Sequence, residues 1–429
     1  MPRKLPTKFS LYSRSLRKRP LILVVCFFVG GFEVADAQMA VRPSLAGAQS
    51  AIDRMASASE TPYNLKLGQI RFRFSAGMRS EFNDNINLAQ AGGESDLLVG
   101  AFLNAQGSWQ ITPLNDLRLN LGMGYNKYLS HPEFDSKQID ISPDSQLSFD
   151  VFIAGRVKVS FYDRFTVRQD PIQEATLSNA VNFGRFENAF GFSALWDMNA
   201  VVWVVGYEHS NFLALQKEFQ YLDRNADTLR LSPSFPISSE TSLGIDASTT
   251  YTYYQQQLKN DGTSFNLGPF LETSLSTAMK LRLSGGLQTM GFSQGNGQTD
   301  NSSLSSWYAD MALAHRVNWF WTETLSVGRE ASLGIQSNFQ ESVYARYTSS
   351  PKIFQKVSTE FDLFYNHVTE SNGLLGEVID QYGGGVQLGY DLTKKLHIGG
   401  GYQIVLKNSD LPLSNYRQNR VYLNLQYQF

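Results

Sequence analysis

The chain is 429 residues long, has 37 Lys and Arg against 39 Asp and Glu, and is rich in aromatic residues at 13%. That balance argues against a nucleic-acid partner, which requires a clustered positive surface. A mean hydropathy of −0.25 and the lack of apolar runs near ~20 residues exclude a bundle of membrane-spanning helices.

Arg3, Lys4, Lys8, Arg14, Arg17, Lys18 and Arg19 precede the apolar run Leu21 to Phe32, and Ala35-Asp36-Ala37-Gln38 follows. A basic head, a short apolar core and small residues at its end predict a secretory signal peptide over residues 1–37, cleaved after Ala37. The only cysteine, Cys26, lies inside the apolar run, so the mature chain has neither a thiol nor a disulfide. Seven basic and two acidic residues leave with the signal, and the mature charge is then 30 against 37, or −7. Residues 38–66, with a weak helical look over Leu45 to Ala58, are expected to form a periplasmic extension. Residues 67–429 show no linker or composition shift and are expected to form one large unit.

From Gln69 onward, apolar and polar residues alternate in segments of about ten, the period of strands with one apolar and one polar face. Leu117, Leu119, Leu121, Met123 and Tyr125 alternate with Arg118, Asn120, Gly122 and Gly124, and the same pattern recurs at Tyr382 to Tyr390 and at Leu396 to Ile404. Tight turns are expected near Thr112 to Asp116, Ala154 to Gly155, Asp197 to Asn199, Pro236 to Thr241, Ser276 to Ala278, His315 to Val317, Ser349 to Phe354 and Asp391 to Lys395. Longer polar loops lie between them, including Asn83 to Ser95, His131 to Asp144, Gln169 to Gly184, Gln216 to Asn225, Gln255 to Gly262, Gln294 to Ser303, Glu370 to Gly376 and Lys407 to Tyr416. Short turns at one end and longer loops at the other define an all-β fold, a transmembrane antiparallel up-and-down β-barrel of about 18 strands, with 16 to 18 as the range. The turns are expected to be periplasmic and the loops extracellular. The weakest part of the count is Leu325 to Tyr347, where the connection near Ala331 to Asn338 is short.

Trp109, Trp196, Trp203, Trp319 and Trp321 fall near the short turns, and Tyr125, Tyr128, Tyr251, Tyr253 and Tyr254 fall near the opposite strand ends, as two interfacial girdles would require. Asp163 shares the apolar parity of Val157 to Val167, which calls for a β-bulge or a position at the headgroup level. Glu323 raises the same question. The final residues alternate as well: Val421, Leu423, Leu425, Tyr427 and Phe429 against Tyr422, Asn424, Gln426 and Gln428. Tyr427 and Phe429 are expected to act as an assembly signal, read by the outer-membrane assembly machinery, because the closing strand must face lipid on one side and the lumen on the other.

Phe82-Asn83-Asp84-Asn85-Ile86-Asn87-Leu88, a short polar loop and a strand opened by Ser95-Asp96-Leu97-Leu98 together resemble the second β-barrel porin family of bacterial outer membranes. Gly100-Ala101-Phe102 stands where a serine-proline-glycine step would be expected in that family. The resemblance covers the barrel as architecture and this region as motif. It implies a porin or a partner of exopolysaccharide export, and it implies no catalytic residue.

The five histidines, His131, His209, His315, His367 and His397, show no metal-ligand spacing. In His209-Ser210-Asn211, neighbouring side chains on a strand point to opposite faces, so the three cannot form a catalytic set. No enzyme activity and no cofactor are expected. A functional hint comes from Arg156, Lys158, Tyr162, Arg164 and Arg168, which share the lumen parity of one strand, joined by Lys280 and Arg282 on another. They are the pore-lining candidates, and their charge predicts an anion-preferring lumen. The competing expectation is that lumenal Asp246, Glu360 and Asp362 balance them. The function expected is a channel for passive passage of small solutes across the outer-membrane lipid. Its rivals are a barrel component of exopolysaccharide export, with polysaccharide as the cargo, or a non-conducting surface scaffold.

Overall fold

The structure, a computed structural model, describes residues 63–135, 138–153, 156–172, 174–256, 258–293, 300–354, 356–371 and 376–429. The signal peptide and residues 38–62 of the expected extension lie outside the described residues.

The alternating segments form twenty strands: β1 Leu65–Leu67, β2 Ile70–Asn83, β3 Asp96–Thr112, β4 Asn115–Tyr128, β5 Asp140–Ile141, β6 Gln146–Ile153 and β7 Val157–Arg168. They continue with β8 Arg185–Asp197, β9 Val202–Ala214, β10 Arg224–Pro236, β11 Thr241–Tyr254, β12 Gly262–Ser276 and β13 Met279–Phe292. The last are β14 Leu304–Asn318, β15 Trp321–Leu333, β16 Phe339–Phe354, β17 Val357–Glu370, β18 Val378–Asp391, β19 Leu396–Ser409 and β20 Tyr416–Gln428. All pairings are antiparallel and join neighbours in sequence, apart from β4 with β6 and β5 with β7 around the short β5 and the pairing that closes the ring, in which β2 meets β20 from Ser75↔Gln428 to Asn83↔Arg420. Two strands are accessory, β1 folded back on the start of β2 and the short β5, which leaves an eighteen-strand barrel. Closure removes every edge, as hydrocarbon demands, because an unpaired backbone group there costs several kcal/mol.

The pleat sorts residues as the alternation predicts. Leu423, Val421 and Met78 are exposed on the outside at 62%, 50% and 60%, whereas their neighbours Tyr422, Asn424, Arg79 and Glu81 turn into the lumen. A closed barrel with an apolar outer wall and a polar inner one, two to four residues in the connections at one end and five to seventeen at the other, has outer-membrane architecture. Glycines on the inner wall let large neighbours lie flat against it. At Gly401 a Cβ would meet the Tyr422 hydroxyl at 2.5 Å.

Several boundaries differ from the expectation. The turns placed at His315 to Val317 and Ser349 to Phe354 fall instead at 319–320 and between Phe354 and Val357, because β14 and β16 run past the expected positions. In that stretch His315 and Tyr347 both reach Glu323 across the outer wall, so polar sequence there continues the ladder instead of ending it. Tyr128 and Tyr254 were expected in the outer aromatic girdle, but their parity turns them inward, and Tyr254 is almost fully buried. Tyr125, Tyr251 and Tyr253 face outward. Asp163 does not sit on a bulge: the β7 register is continuous with both β6 and β8. Its carboxylate accepts a hydrogen bond from the Asn188 amide at 2.5 Å, a polar partner on the same outer wall that sequence parity on a single strand does not reveal.

Candidate lumen and outer mouth

The pore-lining candidates occupy two regions of the inner wall, and most of them meet a carboxylate from a neighbouring strand. Lys158 Nζ lies 3.7 Å from Asp150 on β6. Tyr162 donates to Glu208 on β9 at 2.9 Å, and Arg164 forms an ion pair with the same carboxylate. Arg168 pairs with Glu187 on β8 at 3.4 Å. On β13, Arg282 reaches Asp246 at 2.8 Å and also pairs with Glu272, while its guanidinium stacks on Phe270. Lys280 lies two residues from Arg282 on the same face. Arg156 is exposed in the β6–β7 turn, where its backbone carbonyl accepts from Asp197. The wall is thus a set of ion pairs and not an uncompensated basic stripe. Antiparallel neighbours supply the opposite charge at close range, and close charges outweigh distant ones in a screened lumen.

Further charged residues, not singled out by the sequence, gather near the outer mouth. Arg420 on β20 donates to Asp170 at 2.6 and 2.9 Å and lies 3.6 Å from Glu81, which in turn pairs with Arg79 at 2.6 Å. Arg185, only 1% exposed, binds Glu187 at 2.7 Å and Glu174 at 3.2 Å. Arg420 carries the lumen parity of Tyr422 and Asn424 and was legible on that ground. Asp170 and Glu174 lie in a loop, where parity has no meaning.

That loop, the β7–β8 connection with described residues 169–172 and 174–184, folds inward and crosses the mouth as a strap. Ala175 packs with Val368 on β17 and Ile379 on β18, half-way round the ring from its own strands. Ile172 joins Leu88, Val405 and Tyr416, and its carbonyl accepts from Gln381 at 3.3 Å. Leu177 and Phe183 pack with Leu222 and Ile335, which come from two other connections. Ser178 donates to the Ser414 carbonyl at 2.8 Å and accepts from Lys407 at 2.9 Å. Three loops also meet at one node, where the Asn179 amide donates to Leu88 and its side chain to Leu413, each at 3.1 Å. Leu88, Asn179 and Leu413 all have positive φ, at 49°, 56° and 63° in that order. Leucine disfavours that region, and such backbone persists where surrounding contacts over-determine it. At Asp170 the surrounding wall pushes the carboxyl up although 47% of its side-chain surface stays open to the lumen, and Arg420 and the Ile172 amide outweigh that push and hold it below the ordinary value.

Each of the five histidines places Nδ1 near a carboxylate, although no spacing within the sequence announces it. The distances are 3.0 Å for His131–Asp96, 2.8 Å for His209–Asp227, 3.4 Å for His315–Glu323, 2.9 Å for His367–Asp380 and 2.9 Å for His397–Asp391. Tyr207 also donates to Asp227 and Tyr365 to Asp380, each at 2.7 Å, so the motif Tyr-x-His with a cross-strand Asp occurs twice on the outer wall. His209 and Asn211 share that outer face at 3.3 Å, while Ser210 points to the lumen side and bonds the Ala226 carbonyl. Among the described residues, no three His, Cys, Asp or Glu side chains gather as a metal site would require.

No protein-family model matches the chain. No curated protein matches it either. Among solved structures, the barrel is similar to the outer membrane protein OpdK of Pseudomonas aeruginosa, at 11% identity and a TM-score of 0.46, over 83% of this chain and 99% of that one. It is also similar to OccK2 (OpdF) of Pseudomonas aeruginosa, at 10% identity and a TM-score of 0.48 over 83% and 98%. OccAB3 of Acinetobacter baumannii matches at 11% identity and a TM-score of 0.45 over 83% and 99%.

Proposed function

We propose that this chain is an outer-membrane channel for small polar solutes, exported with residues 1–37 as its signal peptide and closed at its outer mouth by its own loops in the conformation described. The observation that carries the reading is the inner wall. Paired charges, amides and tyrosines line it through much of its height, a surface that stays wetted in a barrel wide enough for an aqueous passage. A wall of alternating charge suits solutes that carry hydrogen-bonding groups of both kinds, and it disfavours apolar ones, which would strip water from the ion pairs without replacing it. The strap is the observation that favours a second reading, a barrel that does not conduct alone and serves as a surface scaffold or in exopolysaccharide export.

Conductance in planar bilayers separates the two. The native barrel should give rare or small steps, and a variant with residues 172–182 replaced by a short Gly-Ser linker should give large, steady ones. Silence from both proteins, each correctly folded by heat-modifiable migration, would favour the second reading.

A further inference from the structure

The outer wall carries one polar device twice, each time near the outer ends of its strands. On β9 and β10, Asp227 Oδ1 accepts from the Tyr207 hydroxyl at 2.7 Å and meets His209 Nδ1 at 2.8 Å. On β17 and β18, Asp380 Oδ1 accepts from the Tyr365 hydroxyl at 2.7 Å and meets His367 Nδ1 at 2.9 Å. Asp227 and Asp380 follow the first residues of their strands by three and two positions, and the two sets stand eight strands apart in a ring of eighteen. The carboxylates are half exposed, at 49% and 47%.

Beside the first set the wall opens into a groove. Asp227 lies opposite Tyr251, Tyr251 opposite Thr263 and Thr263 opposite Gly291, so one row of residues crosses β10 to β13 at a single level. Tyr251, Thr263 and Gly291 line a groove of about 380 Å³, bounded on the loop side by Asp261 and Ser293. A Cβ at Gly291 would meet nothing within 4 Å, so the missing side chain is what keeps the groove open. Directly below it the wall is apolar and exposed, with Leu229, Phe265 and Leu287.

Each set also holds an amide and further tyrosine. His209 Nε2 lies 3.3 Å from Asn211 Oδ1, and Tyr251 and Tyr253 expose half their surface. Asp380 lies opposite Asn408, whose amide donates to the Tyr382 hydroxyl at 3.0 Å.

We propose that these two places seat the sugar headgroups of outer-leaflet glycolipids, one at Asp227 and Tyr251 and the other at Asp380 and Tyr382. Neighbouring hydroxyls of a sugar offer donors and acceptors together, which a carboxylate, an amide and a phenol can match, and bonds to the carboxylate are the strong ones. Both printed bonds to Asp227 fall on Oδ1, which leaves Oδ2 for such a hydroxyl. The C–H face of a sugar ring packs on a tyrosine plane, and tyrosines gather at the headgroup level because one end is apolar and the other wet. Acyl chains would continue down over Leu229, Phe265 and Leu287. A carboxylate repels bare phosphate, so the sugar, and not the phosphate, is the group recognised. A single protein partner would cover one flank of the barrel, whereas two like sites nearly opposite each other both face lipid. The proposal is independent of whether the barrel conducts.

Native mass spectrometry of the full barrel, stripped of co-purifying lipid and titrated separately with deep-rough lipopolysaccharide, with its dephosphorylated form and with phosphatidylethanolamine, tests the assignment. Two molecules of either glycolipid should bind in preference to phosphatidylethanolamine. Asp227→Asn should weaken one of the two about tenfold, the loss expected for one hydrogen bond to a charged group, and Asp227→Asn with Asp380→Asn should weaken both. Binding that disappears with the phosphates would assign the sites to phosphate and overturn the proposal. Equal binding of phosphatidylethanolamine would overturn it too, as would an unchanged titration in the double variant. Heat-modifiable migration checks that each variant is folded, and the native barrel's choice among the three lipids decides even where a variant is not.

Discussion

Asp170, carried by the strap, and Arg420, on the strand that closes the ring, meet across the outer mouth, with the guanidinium donating to the carboxylate at 2.6 and 2.9 Å. The pair joins the strap to a wall five strands from its origin on β7. Asp170→Asn should raise the open frequency about fivefold, the equivalent of ~1 kcal/mol for a pair whose carboxylate is half exposed. Because Arg420 holds the carboxyl below its ordinary value, the link is complete above an ordinary carboxyl pKa of ~3.9 and is lost only as pH falls through the lower, folded-state value. The effect of Asp170→Asn should therefore be constant from pH 5 to 9 in single-channel recordings. An effect that vanished within that range would show that another group holds the strap.

The ion pairs of the inner wall make ion selectivity sensitive to which partner is removed. Neutralising Arg164 and Arg168 together leaves Glu208 and Glu187 without those cations, so the reversal potential in a salt gradient should move toward cations. Neutralising Glu208 and Glu187 should move it the other way. Equal potentials in all three proteins would mean that permeating ions do not pass this part of the wall.

The barrel's orientation predicts which connections antibodies reach on intact cells. A tag inserted at Gly92 or at the exposed tip Leu413 should be labelled, and a tag at Ser239 or Lys394 should be silent until the cells are permeabilised. Asn260 lies in a connection at the same end as Gly92 but is a poor insertion site, since it is 2% exposed and bonded to Asp300 and Asn338. Labelling of Ser239 on intact cells would reverse the topology.

Closure of the ring depends on its last strand. The Phe429 amide donates to the Phe74 carbonyl at 3.2 Å, and its ring meets that of Tyr427 edge-on at 5.5 Å on the outer wall. Deleting Phe429, or replacing it with a charged residue, should leave the chain exported but not inserted, because β2 and β20 then keep open edges in lipid. Normal heat-modifiable migration of the truncated protein on a gel would contradict this.

Alternation along the chain was enough to determine the strands, their faces, the division into short and long connections and a count near eighteen, since each strand meets lipid on one side whatever its neighbours are. That is why Val421 and Leu423 could be placed outside, and Lys158 and Arg164 inside, from the sequence alone. Asp163 shows the limit: its parity was legible, but its partner Asn188 was not, because a cross-strand neighbour depends on register. The same holds for Arg164 with Glu208, 44 residues apart, and for each histidine with its carboxylate. Only the tertiary structure decided whether the loops stand out or fold in. Gln169 to Gly184 reads as an ordinary polar loop. Its apolar residues Ile172, Ala175, Leu177 and Phe183 find burial only because closure of the ring brings β17 to β20 and four other connections within reach. Lys259 belongs to the same class, since a lysine in a loop reads as solvated until distant carbonyls converge on it.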